Sequence, residues 1–160
     1  MKRFALTLAA LALTAAAHAQ VTVKDPWVRA TVPQQKATGA FMQLTAAKDA
    51  RLVSAKSPVA GIVEIHEMAM VDNIMKMRAL PSGLELPAGK AVELKPGGYH
   101  VMLLDLKGQV KDGDVVPVTL VVEGKDGKRE TLEIKATARP LNTAAKTDPS
   151  QGAGHGAMKH

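Results

Sequence analysis

Methionine and histidine are concentrated in two short segments of this sequence, and the side chains of both can bind soft metal ions. Four of the eight methionines fall between residues 66 and 77: Met68, Met70, Met75 and Met77. His66 begins that segment, and a second cluster follows with His100 and Met102. Cu(I) prefers thioether and imidazole ligands, whereas hard cations select carboxylates. The pattern therefore predicts a site for a soft ion, and Cu(I) fits it best.

Strand periodicity predicts how these side chains are placed. Residues 59–70 read as one β-strand, in which alternate residues share a face. One face of that strand carries four residues: Glu64, His66, Met68 and Met70. Asp72 and Asn73 tolerate the left-handed backbone region and predict a hairpin turn. Residues 74–80 then return, so Met75 and Met77 form a second methionine row beside the first. His100 and Met102 share a face of a later strand, roughly 7 Å apart along it.

Each of these residues has a simpler explanation when it is taken singly. Methionine is an adaptable hydrophobe that fills gaps in protein cores, and a lone histidine is commonly a surface residue or one with its partners satisfied. The combination favours a metal site, because His66 and His100 are each followed by a methionine two residues later. A third sulfur, Met77, lies eleven positions beyond His66.

The rest of the sequence predicts an all-β domain. Short β-type runs and turn signals alternate between residues 21 and 137, with no helical periodicity. Eight or nine such strands are typical of a Greek-key β-barrel or sandwich. Cysteine is absent, which excludes thiolate sites and a blue-copper centre. The formal net charge of +6 is spread along the chain without a basic run among aromatics, so nucleic-acid binding is not expected.

Both ends of the chain are expected to lie outside this domain. Residues 1–19 read as a secretory signal peptide, with a basic start, a short apolar stretch and small residues at the cleavage point. The mature protein is then expected in the periplasm, without a membrane span. Residues 20–140 would form one domain. Residues 141–160 are poor in apolar bulk and predict a flexible tail, which carries His155, Met158 and His160.

The order of these motifs resembles the periplasmic copper chaperone family called PCuAC. The family pattern is His, ten residues, Met, about twenty-one residues, then His-x-Met. This chain has ten residues between His66 and Met77, and 22 between Met77 and His100, one more than the pattern. Flanking words along residues 21–138 also match: Trp27-Val28-Arg29-Ala30-Thr31, Ala37-Thr38-Gly39-Ala40, Met75-Lys76-Met77-Arg78, Lys95-Pro96-Gly97-Gly98-Tyr99-His100 and Val116-Pro117-Val118-Thr119-Leu120.

The resemblance implies a cupredoxin-like fold and a non-enzymatic Cu(I) chaperone, which we expect to be a monomer. Its implied partner is the binuclear copper centre of cytochrome c oxidase, in subunit II, or another periplasmic copper protein. The implied ligands are His66, Met77, His100 and Met102. Three other methionines do not map to this pattern: Met68, Met70 and Met75. They could surround and support the ligands, serve as an alternate ligand set, or only pack against their neighbours. The tail could bind Cu(II) or help load the main site, or its histidines could be incidental.

Two other functions stay open at this point. One is a copper-dependent periplasmic oxidoreductase, which is disfavoured because Cu(II) chemistry usually uses more imidazole. The other is a β-domain whose methionine rim binds a partner without metal. A hydrolase is not indicated, since no Ser, His and acid spacing stands out.

Overall fold

The computed structural model describes residues 20–140, and this part of the chain consists of strands and connecting loops. Ten strands follow one another: β1 (Val21–Arg29), β2 (Ala37–Ala46), β3 (Ala50–Lys56), β4 (Ala60–Val71), β5 (Ile74–Ala79), β6 (Leu84–Leu86), β7 (Ala91–Leu94), β8 (His100–Leu106), β9 (Val115–Gly124) and β10 (Arg129–Arg139). Within residues 20–140 no helix is long and apolar enough to cross a membrane. The predicted signal peptide and the tail with His155, Met158 and His160 lie outside the described residues.

All ten strands belong to one sheet, which confirms the prediction of a single all-β domain. The order of hydrogen-bonded neighbours is β5-β4-β8-β2-β1-β10-β9-β3-β6, and β7 pairs with the second half of β2. Neighbouring strands are antiparallel except β1 and β10, which run parallel. β3 also lies against β4, far away in that order, so the sheet curls round and encloses a core.

The core lies on one face of the sheet because apolar residues alternate along the strands. In β8, Val101 and Leu103 are fully buried. Val101 pairs with Ile65 of β4 on one side and with Ala40 of β2 on the other, and these residues are buried too. The other alternate residues of β4 and β8 face away from this core, and they include the predicted metal ligands.

One turn signal of the sequence lies in a bulge within a strand. The dipeptide Asp25-Pro26 is typical of a turn between strands, but β1 continues through it to Arg29. The pairing of β1 with β2 shifts register between Lys24 and Trp27, and Asp25 has a positive φ of 49°. A β-bulge absorbs extra residues without ending the strand, so turn chemistry here does not end the pairing.

The hairpin predicted through Asp72 and Asn73 is confirmed. Both residues have positive φ, 51° and 61°, as a two-residue type I′ turn requires. β5 lies at the edge of the sheet, and within residues 20–140 its only strand neighbour is β4. All six residues of β5 are exposed. The hairpin therefore projects its methionines from the border of the sheet.

Candidate metal centre

Strand register brings the four predicted ligands onto one face of the sheet. His66 of β4 pairs directly with His100 of β8, and Glu64 pairs with Met102 in the same ladder. On the other side of β4, Met68 pairs with Met77 of β5. Directly paired residues in antiparallel strands project from the same face. The two histidines and the two sulfurs, which are far apart in sequence, thus share one outer patch opposite the core.

His100 is held with one ring nitrogen aimed at the sulfur of Met77. Its Nδ1–H donates to the carbonyl oxygen of Gly98 at 3.1 Å, and its Nε2 lies 3.2 Å from Met77 Sδ. The bond to Gly98 selects the tautomer whose Nε2 has a lone pair. In tetrahedral zinc sites, where the bonds to nitrogen and sulfur are about 2.0 and 2.3 Å long, two such ligands of one ion stand about 3.5 Å apart. His100 and Met77 are therefore spaced like two ligands of one ion.

His66 completes a pair of buried imidazoles. Its ring centroid is 5.6 Å from that of His100, and each histidine is only 7% exposed. Its Nε2–H donates to Glu64 Oε2 at 2.7 Å, while its buried Nδ1 has no hydrogen-bond partner within the described part of the chain. Leaving a buried polar atom unpaired costs about 1–3 kcal/mol. A metal ion bound to Nδ1 would satisfy that atom.

The pKa of His100 favours metal binding over protonation. Burial lowers this pKa from its ordinary value, and the nearby His66 and Arg29 lower it further. The hydrogen bond to Gly98 acts in the opposite direction but does not cancel the effect of burial. The imidazole therefore stays neutral at pH values where an exposed histidine would begin to take up a proton. A neutral ring keeps its lone pair available for an ion.

Met102 lies beside a small aromatic wall that the sequence had not indicated. It pairs with Gly39 of β2. A side chain at this position would collide with Phe41, since a Cβ on Gly39 would lie 2.8 Å from Cζ of that ring. The ring of Phe41 lies 6.3 Å from His100 and 4.6 Å from the ring of Trp27, between centroids. Phe41 therefore helps to bury His100. The only hint in the sequence was the alternation that places Gly39 and Phe41 on one strand face.

The donors of this patch suit a soft ion. Among residues 20–140, no three His, Cys, Asp or Glu side chains converge in a way that could hold a metal. The donors beside the two imidazoles are instead thioethers, which soft ions such as Cu(I) accept and hard ions do not. Met68 is half-buried next to Met77, whereas Met70 and Met75 are 63% and 46% exposed near the hairpin turn. All three lie on the face that carries the histidines. Met68 is the nearest of them to the imidazoles, and Met70 and Met75 lie farther along the hairpin.

Comparisons with known proteins point to one group. Residues 21–136 match the family described as "Putative lipoprotein LpqE-like". The protein Lxx21020 of Leifsonia xyli subsp. xyli, whose name carries the same lipoprotein description, is 33% identical over 100 residues. That match covers 62% of this chain and 60% of the relative's length, so the chain spans less than two thirds of that relative.

Two solved structures share the fold of this chain. The apo PCuAC domain from PmoF1 has a TM-score of 0.61 at 27% identity, covering 76% of this chain and 95% of that one. The solution structure of CuI-DR1885 from Deinococcus radiodurans has a TM-score of 0.59 at 32% identity, covering 79% and 83%. The all-β cupredoxin-like fold expected from the sequence is thereby confirmed.

Proposed function

The chain belongs to the LpqE-like family, which is the PCuAC family of these solved domains, and from that membership we propose that it is a copper-carrying metallochaperone of the cell envelope. The observation that carries this proposal is the contact between His100 Nε2 and Met77 Sδ, with the ring of His66 5.6 Å from that of His100. The buried Nδ1 of His66 has no hydrogen-bond partner among residues 20–140. Copper is the cargo of such a protein rather than a resident cofactor.

In this proposal Cu(I) is bound by His66, Met77, His100 and Met102. His100 would use Nε2 and His66 would use Nδ1, because their other nitrogens donate to Gly98 and Glu64. Neither thioether nor neutral imidazole has to lose a proton on binding. The ligand set therefore adds no charge of its own, which suits a monovalent soft ion.

The placement of the site favours transfer over catalysis. Met77 is 48% exposed and lies on the edge strand β5, so a ligand from another protein can approach the ion from its side. Neutral ligands can be exchanged one at a time, without a change in the oxidation state of copper. We propose that the ion passes to a periplasmic acceptor, with the binuclear centre in subunit II of cytochrome c oxidase as the acceptor that the family resemblance implies.

A metal-free interaction domain is the second candidate, because the hairpin exposes apolar side chains. Met70, Val71 and Ile74 are 63%, 38% and 60% exposed. Methionine-rich surfaces can adapt to several partners. This alternative predicts that no stoichiometric Cu(I) binding depends on His100 or Met77.

Anaerobic titration of the full chain with Cu(I), against a competing chromophoric chelator, tests the proposal. We expect one tight equivalent. Affinity should fall at least about tenfold in His100→Ala, Met77→Leu and Met102→Leu, since even residues that only support ligands commonly contribute 10–100-fold. Met42→Leu is the matched control, because Met42 is buried at 3% exposure on the core face. Absence of a tight equivalent would reject the chaperone function.

The same titration separates the main site from the tail. The variant with His155→Ala, Met158→Leu and His160→Ala is expected to keep the tight Cu(I) equivalent and to lose only any additional Cu(II) binding. Loss of the tight equivalent in this variant would instead assign a ligand of the main site to the tail.

A further inference from the structure

Next to the proposed metal pocket lies a pair of methionines, Met70 and Met75, that are not among its four proposed ligands. In the β4–β5 hairpin, Met70 pairs directly with Met75, and the next pair on the same face is Met68 with Met77. Met77 in turn touches His100. The four hairpin methionines therefore form two consecutive pairs, which lead from the exposed turn to the buried imidazoles.

The backbone geometry places the two side chains of each pair next to each other on the two strands. Paired residues in antiparallel strands alternate between hydrogen-bonded and non-hydrogen-bonded positions, and side chains approach more closely in the latter. A two-residue turn at Asp72-Asn73 makes Val71 and Ile74 the first hydrogen-bonded pair, and every second pair after it is hydrogen-bonded too. The N–H of Leu80 donates to Ile65 at 2.8 Å, as this alternation requires. Both methionine pairs then occupy the closer, non-hydrogen-bonded positions.

The distance between the pairs can be crossed by side-chain motion. Successive residues on one strand face are roughly 7 Å apart. Methionine has three rotatable bonds beyond the backbone and adapts its shape readily. An ion held by Met70 and Met75 can thus be reached by Met68 or Met77 while it is still bound.

The charges on the hairpin are arranged to admit a cation. Lys76 and Arg78 alternate with the methionines and project from the opposite face of β5, and Arg78 is ion-paired with Glu67. The methionine face of the hairpin carries no lysine or arginine. A monovalent ion at the exposed pair is therefore not opposed by a fixed positive charge on the same face of the hairpin, since Arg29, which acts on His100, belongs to β1.

We propose that Met70 and Met75 form an outer, weaker binding station for Cu(I), through which the ion enters and leaves the main pocket. This inference rests on the proposed function and extends it from the pocket to the turn. The ion remains Cu(I) throughout, and each step exchanges one thioether for another without electron or proton transfer. The station explains why Met70 and Met75, the methionine pair nearest the turn, are both methionine and both exposed.

Titration of the full chain with Ag(I), a soft monovalent ion, tests this station directly when the methionine methyl groups carry ¹³C. The first equivalent is expected to shift the methyl signals of Met77 and Met102. Further Ag(I) is expected to shift Met70 and Met75 together, and Met158 of the tail provides a separate signal. Unchanged Met70 and Met75 signals at several equivalents would overturn the station while leaving the pocket intact. Unchanged Met77 and Met102 signals would overturn the proposed function itself.

A kinetic comparison tests the passage of the ion. The Met70→Leu/Met75→Leu variant keeps the apolar area of the hairpin and removes only its outer sulfurs. We expect the pocket to keep its affinity within about twofold and its loading rate from a Cu(I)–chelator complex to fall about tenfold, because a nearby station raises the effective concentration of the ion. Val71→Leu/Ile74→Leu on the opposite face is the matched control and should load normally. Equal slowing in both variants, or in neither, would overturn the inference.

Discussion

At the scale of single residues, the chemistry of the pocket depends on which nitrogen of each imidazole is available. Gly98 accepts from Nδ1 of His100, and Glu64 accepts from Nε2 of His66. Partners of this kind fix the tautomer and the ring orientation of a metal-binding histidine. The two rings are thereby prepared through opposite nitrogens, one by a main-chain oxygen and one by a carboxylate.

Glu64 is expected to act as a positioning residue for His66. In Glu64→Gln the acceptor loses its charge, so Cu(I) affinity should fall by about 10-fold or somewhat more, within the range usual for such partners. Glu67→Gln is a matched control, since Glu67 projects from the opposite face of β4 and pairs with Arg78. Chelator competition measures both variants, and ¹⁵N spectra report the tautomer of His66. Equal affinities for the two variants would contradict the role given to Glu64.

The depressed pKa of His100 predicts a pH dependence of the metal-free protein. In the unfolded chain this histidine takes up a proton near its ordinary value of about 6.5, whereas in the folded chain it does so at lower pH. Above that ordinary value the group is neutral in both states and stability is unaffected. Below it the unfolded chain binds the proton first, so stability falls until the folded pKa is passed. An NMR titration of the His100 ring with a midpoint at or above 6.5 would contradict this.

At the scale of elements, the turn between β4 and β5 sets the position of Met77. Asp72 and Asn73 both have positive φ, which β-branched residues adopt only with strain of about 1–2 kcal/mol. Asn73→Val should therefore loosen the hairpin, speed amide hydrogen exchange at Met75 and Met77, and weaken Cu(I) binding. Asn73→Gly, which suits a type I′ turn, should preserve both properties. Slow exchange in Asn73→Val would show that the pairing, not the turn, holds the hairpin.

The sequence was sufficient for local features and insufficient for long-range register. Residue alternation and turn chemistry predicted which face of β4 carries His66 and where the hairpin turns, because both depend on neighbours in the chain. The pairing of His66 with His100 could not be derived in this way, since it depends on β4 and β8 choosing each other among ten strands. The roles of Gly98 and Phe41 were missed for the same reason. The family resemblance suggested the four ligands together.

At the scale of the whole molecule, folding and the proposed metal binding use opposite faces of the same strands. Val101 and Leu103 of β8 enter the core, while His100 and Met102 alternate with them and project from the other face. The core draws its stability from buried apolar side chains and does not require the ion. The metal-free protein is therefore expected to be folded.

This division predicts that substitutions at two neighbouring residues affect different properties, one the stability of the fold and the other the affinity for Cu(I). Leu103→Ala should lower the free energy of unfolding by about 2–5 kcal/mol, as is usual for a buried leucine, with Cu(I) affinity nearly unchanged under conditions where the variant is folded. Met102→Ala should do the reverse, with a large loss of affinity and a smaller loss of stability. Urea unfolding and chelator competition measure the two effects. A variant that lost both properties equally would show that the two faces are coupled.

The edge position of β5 has a consequence for the lifetime of an ion bound at the proposed site. β5 has a single strand neighbour within the described residues, and all its side chains are exposed, so it can fray while the strands behind it stay paired. In the proposed site, each such fraying would withdraw the sulfur of Met77 and leave the two imidazoles in place on β4 and β8. The ion would then be under-coordinated for the duration of a local fluctuation. Its release would be timed by the opening of six residues at the edge of the sheet instead of by the much rarer unfolding of the whole domain.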